Sequence, residues 1–181
     1  MSLANVMTRV AEFVGDQLVN TCERPAPDRV LRYHGTLPHD CCSDRGFLVV
    51  NFEREYPSTQ FPSPAANNAT PCQGLPVAVL VVRYVVCWPL PDVDANGVRP
   101  IDDAWDAKAA VLADVADCIT RAFMTLACKP DLTDPFVEAL IEATGHEKVR
   151  LIETVPIVPL GGCAGVQWRI YCGVRPADTP S

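Results

Sequence analysis

The chain has 181 residues, a formal net charge of −7 and a pI near 4.9. Hydrophobic residues make up 49% and charged residues 20%, so the chain is globular, not disordered, and long enough to bury a core as one domain. The acidic balance argues against gripping a nucleic-acid backbone by bulk charge, but it is compatible with a surface past which DNA slides without sticking.

The N-terminus lacks the basic region of a secretory signal, and Glu12 and Asp16 interrupt its apolar positions. A soluble protein made in the cytoplasm is expected. Residues 3–20 follow helical spacing through Leu3, Val6, Met7, Val10, Phe13, Val14 and Leu18, with Asn5, Arg9, Glu12 and Asp16 opposite and Ser2 as N-cap. Val30–His34 is a candidate short strand, and Gly46–Glu53 has strong strand composition. Residues 54–74 carry Pro57, Pro62, Pro64 and Pro71 and show no regular element. A structureless stretch of that length usually has a job, such as reaching over a neighbouring subunit.

Leu75–Trp88 is the most apolar stretch, and half of residues 77–88 are valine. Split by the period of a strand, Val77, Val79, Val81, Arg83, Val85 and Cys87 share one face. Ala78, Leu80, Val82, Tyr84, Val86 and Trp88 share the other. Neither face is polar, which predicts cover on both sides. One helix of the chain supplies part of that cover. The N-terminal helix or a neighbouring subunit is expected to supply the rest. Arg83, if buried, needs a carboxylate or carbonyl partner. The stretch is too short to span a bilayer and holds a charge, so no membrane partner is expected.

Residues 89–100 form a turn-rich link containing Asn96-Gly97. Asp102–Ala127 is the clearest helix, with a stripe through Trp105, Ala109, Leu112, Val115, Ala116, Ile119, Phe123 and Leu126. Thr133–Thr144 is a second helix, with Asp134 as cap, Pro135 in its first turn and Gly145 at its exit. Val149–Val158 and Gly165–Arg175 form a hairpin across the Gly-rich link Pro159–Gly165, whose glycines imply positive φ or close backbone approach. On the second arm Val166, Trp168, Ile170, Cys172 and Val174 share one face. There is no internal repeat. The order predicts one α+β domain over residues 1–175, a mostly antiparallel sheet with helices packed on one face, and a flexible tail over 176–181.

Nine cysteines cannot all pair within one chain, and cytosolic synthesis favours thiols. Cys41, Cys42, Cys72 and Cys163 fall in loop-like segments, with His39 beside the first two, and these five residues could supply zinc ligands. No C-x-x-C spacing supports that site. A redox pair formed late between two such loops is a second reading. Free thiols packed as small apolar side chains are the simplest one, most of all for Cys87, Cys118 and Cys172, which lie on apolar faces.

The link Gly161–Gly165 leads into a strand, so it offers no helix N-terminus to a phosphate. There is no G-x-S-x-G, and His34, His39 and His146 have no partner spacing. Asp102, Asp103, Asp106, Asp114 and Asp117 suit a solvated helix face better than a metal cluster. Arg24, Arg29, Arg32, Arg45 and Arg54 have few aromatic neighbours and make no stacking platform. No catalytic residue, cofactor or enzyme activity is expected.

Several motifs follow one another along the chain. Asp40-Cys41-Cys42 precedes Gly46–Val50, Pro71-Cys72 precedes the long strand, Cys87-Trp88-Pro89 ends it, and Pro159–Gly165 precedes the closing strand. In this order and length the chain resembles the tail terminator, or neck, proteins of long-tailed actinobacteriophages, across most of residues 1–175. The resemblance implies a sandwich-like α/β fold and a homo-oligomeric ring, typically a hexamer. It implies a virion protein of the tail and neck, assembled in the host cytoplasm, which caps the tail tube, ends its polymerisation and joins it to the head connector. The implied partners are further copies of itself, the major tail tube protein and the head–tail connector proteins, with DNA only passing through the lumen. Loops 54–74 and 89–100 are the expected interface, and Asp94 a lumen residue. Another neck or head–tail connector protein is the alternative in the same class, and a small Cys-ligated zinc module the alternative from another.

Overall fold

A computed structural model describes residues 2–34, 45–64, 75–87, 103–144, 149–160 and 163–174. The elements run α1 (Leu3–Asn20), β1 (Arg29–His34), β2 (Phe47–Ser58), β3 (Leu75–Cys87), α2 (Asp103–Cys128), α3 (Pro135–Thr144), β4 (Val149–Leu160) and β5 (Cys163–Gly173). The strands form one open sheet in the order β1-β2-β3-β5-β4. Every pair is antiparallel except β1–β2, so this α+β sheet is mixed but mostly antiparallel.

α1 begins and ends where its apolar period does. Ser2 is extended at the N-cap, but its side chain makes no capping bond; its carbonyl accepts the Asn5 and Val6 N–H groups instead. On the outer side Arg9 pairs with Glu12 at 2.8 Å. α3 has the side-chain cap that its sequence suggests, since Asp134 Oδ1 accepts the Phe136 N–H at 2.8 Å. Gly145 lies outside the described residues.

The core is a single layer between the helices and one face of the sheet. Val6, Val10, Phe13 and Leu18 of α1, Val115, Ile119 and Phe123 of α2, and Leu140 of α3 are buried there. They meet Leu48 and Val50 of β2, Ala78, Leu80 and Val82 of β3, and Val166, Trp168, Ile170 and Cys172 of β5. The Phe13 and Phe123 rings meet with centroids 5.6 Å apart, which locks α1 to α2. Trp168 is wholly buried, and its indole N–H needs a partner there. It finds Thr120 Oγ1 at 3.3 Å, and Thr120 in turn meets Thr154 Oγ1 at 2.9 Å. One polar chain therefore ties β5, α2 and β4 together.

The element boundaries differ most from the sequence reading in β2 and in the β4–β5 hairpin. β2 continues through Arg54–Ser58, so that part of the 54–74 segment is strand. Its register shifts between Phe52 and Arg54. A bulge disturbs the alternation that marks a strand. β4 and β5 extend to Leu160 and Cys163, which pair, so Cys163 lies in a strand and not in a loop. Residues 65–74, 89–100 and 176–181 are outside the described residues, as are Trp88 and Asp94.

Gly165 accounts for one of the close approaches that the hairpin glycines imply. A Cβ there would fall on the Tyr84 carbonyl oxygen, well inside van der Waals contact, and 3.0 Å from Val85 Cα. Gly15, in the middle of α1, has nothing within 4 Å of the same position. Gly165→Ala is therefore expected to lower the unfolding free energy by about 1–3 kcal/mol. Gly15→Ala is expected to raise it by about 0.5–1 kcal/mol through helix propensity. Urea midpoints of the two variants, moving in opposite directions, check the pair.

Candidate functional site

Val77 and Val79 are fully buried and Val81 is 4% exposed, yet they point away from the helix layer. α1 does not cover them, because it packs on the other side with α2 and α3. The cover comes in part from the flanking strands. β2 and β5 both neighbour β3, so side chains that meet between them must cross it. Tyr56, opposite Val77, and Tyr171, opposite Val79, meet edge to face with centroids 6.1 Å apart. Glu53 of β2 accepts from Arg169 Nε at 2.9 Å, and Arg169 also pairs with Glu153 of β4. These two straps roof the valines within one chain. The expectation that a neighbouring subunit or α1 must cover this face is corrected accordingly.

Arg83 also finds its carbonyl partner in its own chain. Its Nε donates to Gln167 Oε1 at 2.8 Å on the adjacent strand. Burial lowers its pKa, the Arg169 charge adds to that, and Glu53 opposes it. A guanidinium carries five N–H donors, so an arginine here holds a neighbouring strand's side chain in place as well as its own charge.

The cysteines need a second correction. Cys22 is disulfide-bonded to Cys118, and Cys87 to Cys163. Cys118 does lie toward the interior of α2, but the exit of α1 brings Cys22 to a Cα separation of 5.9 Å. Cys87 and Cys163 are direct register partners on β3 and β5. Cys163 is thus part of a disulfide and not a thiolate ligand, while Cys41, Cys42, Cys72 and His39 lie outside the described residues. Cys172 keeps the expected form, a free thiol wholly buried in the core, and Cys128 is free and exposed. Among the described residues no group of three His, Cys, Asp or Glu could hold a metal ion. Nor is any helix there long and apolar enough to cross a membrane.

The described surface exposes large apolar side chains at the two ends of the sheet and also on the helix layer, where Val19, Met124, Leu132 and Phe136 are exposed. β1 ends the sheet on one side and carries Val30, 48% exposed, between Arg29 and Arg32. Arg32 donates to Thr8 Oγ1 at 2.6 Å, and Arg45 stands 4.0 Å from Asp28 nearby. Arg24 instead reaches α2, where Asp114 is 3.9 Å away. β4 ends the other side, with Ile152 and Val155 exposed. Beside it an apolar groove of about 430 Å³ runs between α2 and the β4–β5 hairpin. Asp106 and Asp117 are exposed on α2, as a solvated helix face requires. A second groove of about 500 Å³ opens between α1, α2 and the start of α3.

No protein-family model matches the chain, and no curated protein matches it.

Two outcomes follow from this chemistry. Cys22, Cys118, Cys87 and Cys163 should resist alkylation until a reductant is added, whereas Cys128 reacts in the folded protein. Cys172 should react only on unfolding, because burial excludes reagent and raises its pKa. The Cys22–Cys118 bridge spans 96 residues. A loop of that length makes reduction cost about 2–5 kcal/mol of unfolding free energy, measurable by denaturant titration with and without a dithiol. Separately, burial raises the pKa of Tyr84 above 10.0, with Arg24 opposing, and its hydroxyl donates to the Arg45 carbonyl at 3.1 Å. The folded state thus holds this proton more tightly than the unfolded chain. The stability it contributes is complete below the unfolded value and is lost as pH rises through the folded one. Tyr84→Phe should flatten that alkaline loss, read as unfolding free energy between about pH 8 and 11.

Proposed function

We propose that the protein is a structural assembly protein, a tail terminator of a long-tailed phage that acts by self-association and docking. The observation that carries this reading is the open sheet, whose two unlike ends, β1 and β4, have no further strand partner among the described residues. Two different surfaces at opposite ends are what a heterologous contact uses, and such contacts close into rings when the rotation allows. A closed ring also removes exposed sheet edges, which otherwise recruit further chains. Helices layered on one face of the sheet fit the sandwich-like fold that the resemblance implies. The acidic charge of −7 suits a lumen that passes DNA without holding it.

In this reading the ring, a hexamer, sits in the virion neck. One face meets the last ring of tail tube protein, the other meets the head–tail connector, and neither contact involves bond-making chemistry. Negative-stain imaging of the isolated protein and of tails incubated with it tests the proposal. A six-fold ring at the head-proximal end of the tube is the expected result. A chain that stays monomeric at every concentration, with and without tail tubes, overturns it.

A further inference from the structure

We propose that the Cys22–Cys118 disulfide is a redox latch: oxidised, it holds the exit of α1 in a strained turn, and reduction by a dithiol releases that turn. The latch belongs to the single chain and does not depend on the assembly reading above.

Two costs meet at this exit. After α1 the chain wraps back, so that the Cys22 N–H donates to the Gln17 carbonyl at 2.9 Å and the Arg24 N–H to the Leu18 carbonyl at 2.8 Å. To make that turn Glu23 takes φ 54°, the only non-glycine with positive φ among the described residues. A residue with a Cβ is strained there, and Glu lacks the short polar side chain with which Asn or Asp compensates. Arg24 carries the second cost. Its Nε is buried without a hydrogen-bond partner among the described residues, and its nearest carboxylate, Asp114 of α2, is 3.9 Å from another nitrogen. Such strain persists only where the surroundings over-determine the conformation. Cys22 directly precedes both residues, and its bond to α2 is the covalent tie that fixes them.

The body of α1 does not need this bond. Val14 and Leu18 are fully buried, and Phe13 packs on Phe123. Opening the bridge therefore frees the turn and the short run into β1, not the helix layer. The other bridge differs. Cys87 and Cys163 are register partners, and the ladder continues beside them through Val86–Ala164 and Val85–Gly165. Its reduction leaves the two strands paired and relieves no such turn.

Relief of strain on opening makes a disulfide easier to reduce. Access favours the same bond, because Cys118 lines the open groove between α1, α2 and the start of α3. Charge beside it is balanced, Arg24 facing Asp114 and Arg121 pairing with Asp117, and selects nothing. One thiolate of the dithiol attacks Cys118 Sγ, the S–S bond breaks, and Cys22 leaves as a thiolate that takes up a proton. The second thiol displaces Cys118 in turn. The dithiol ends as a disulfide, and its two electrons and two protons end on the cysteines.

Amide exchange read by NMR at low urea tests the latch, because local opening is insensitive to urea and global unfolding is not. Cys22→Ser combined with Cys118→Ser should speed exchange at Arg24 about tenfold or more by a urea-insensitive route. Cys87→Ser combined with Cys163→Ser should leave that route unchanged, while speeding the urea-sensitive exchange of β3. Glu23→Gly added to the first variant should return part of the lost protection, since glycine takes this φ without strain. On the unmodified chain, dithiothreitol followed by alkylation and peptide mapping should label Cys22 and Cys118 at about tenfold or more lower reductant than Cys87 and Cys163. If only β3 exchanges faster in the first variant, the bond braces the whole fold and latches nothing. That result overturns the proposal, as does opening of Cys87–Cys163 first, or a Glu23→Gly change that restores no protection.

Discussion

Burial of β3 on both faces is the constraint that shapes the rest of the structure. A strand that is nearly all apolar can exist in water only if two layers cover it, and the described residues supply one layer of helices. The helices take the face bearing Leu80 and Val82. The other face is closed by long polar and aromatic side chains that lean inward from β2 and β5. Tyr56, Tyr171, Arg169 and Glu53 stand on that face beside the valines; Arg169 pairs with Glu53, and the Tyr56 hydroxyl donates to the Pro62 carbonyl oxygen. The ion pairs on this face are half-exposed and add little free energy by themselves. Their contribution is to hold the covering groups in place.

This arrangement explains which features can be read from the residues. The three helices and the long strands announce themselves by period, because a helix stripe or a valine run reflects burial directly. Asp134 and Gly165 are equally visible, one as a capping side chain and the other as a demand for close approach. The cover over Val77 and Val79 is not. It depends on which side chains stand opposite in neighbouring strands, and that register is a tertiary fact. Residues such as Glu53 and Arg169 lie 116 positions apart and look like ordinary surface charges until β2 and β5 are placed on either side of β3. The parallel pairing of β1 with β2 is hidden for the same reason, since a short strand carries no sign of its partner's direction.

The cysteines show the same limit more sharply. Cys87 and Cys118 read as packed thiols because each lies on an apolar face, and the apolar placement holds. What period cannot supply is the second sulfur. Cys163 becomes the partner of Cys87 only once the β3–β5 register is known, and Cys22 reaches Cys118 only because the end of α1 comes close to α2. Burial and pairing are thus not competing readings. A buried cysteine is a free thiol or half a bridge according to what the fold brings against it, as Cys172 and Cys87 demonstrate within one sheet.

A self-covered β3 changes the argument for assembly. Had its second face been bare, association would have been a condition of folding, and the isolated subunit would have exposed a large apolar face. With that face roofed, the exposed large apolar side chains that remain among the described residues are scattered: Val30 on β1, Ile152 and Val155 on β4, and Val19, Met124, Leu132 and Phe136 on the helix layer. In the assembly proposed above, contacts through such groups are modest one by one and gain strength when several close into a ring.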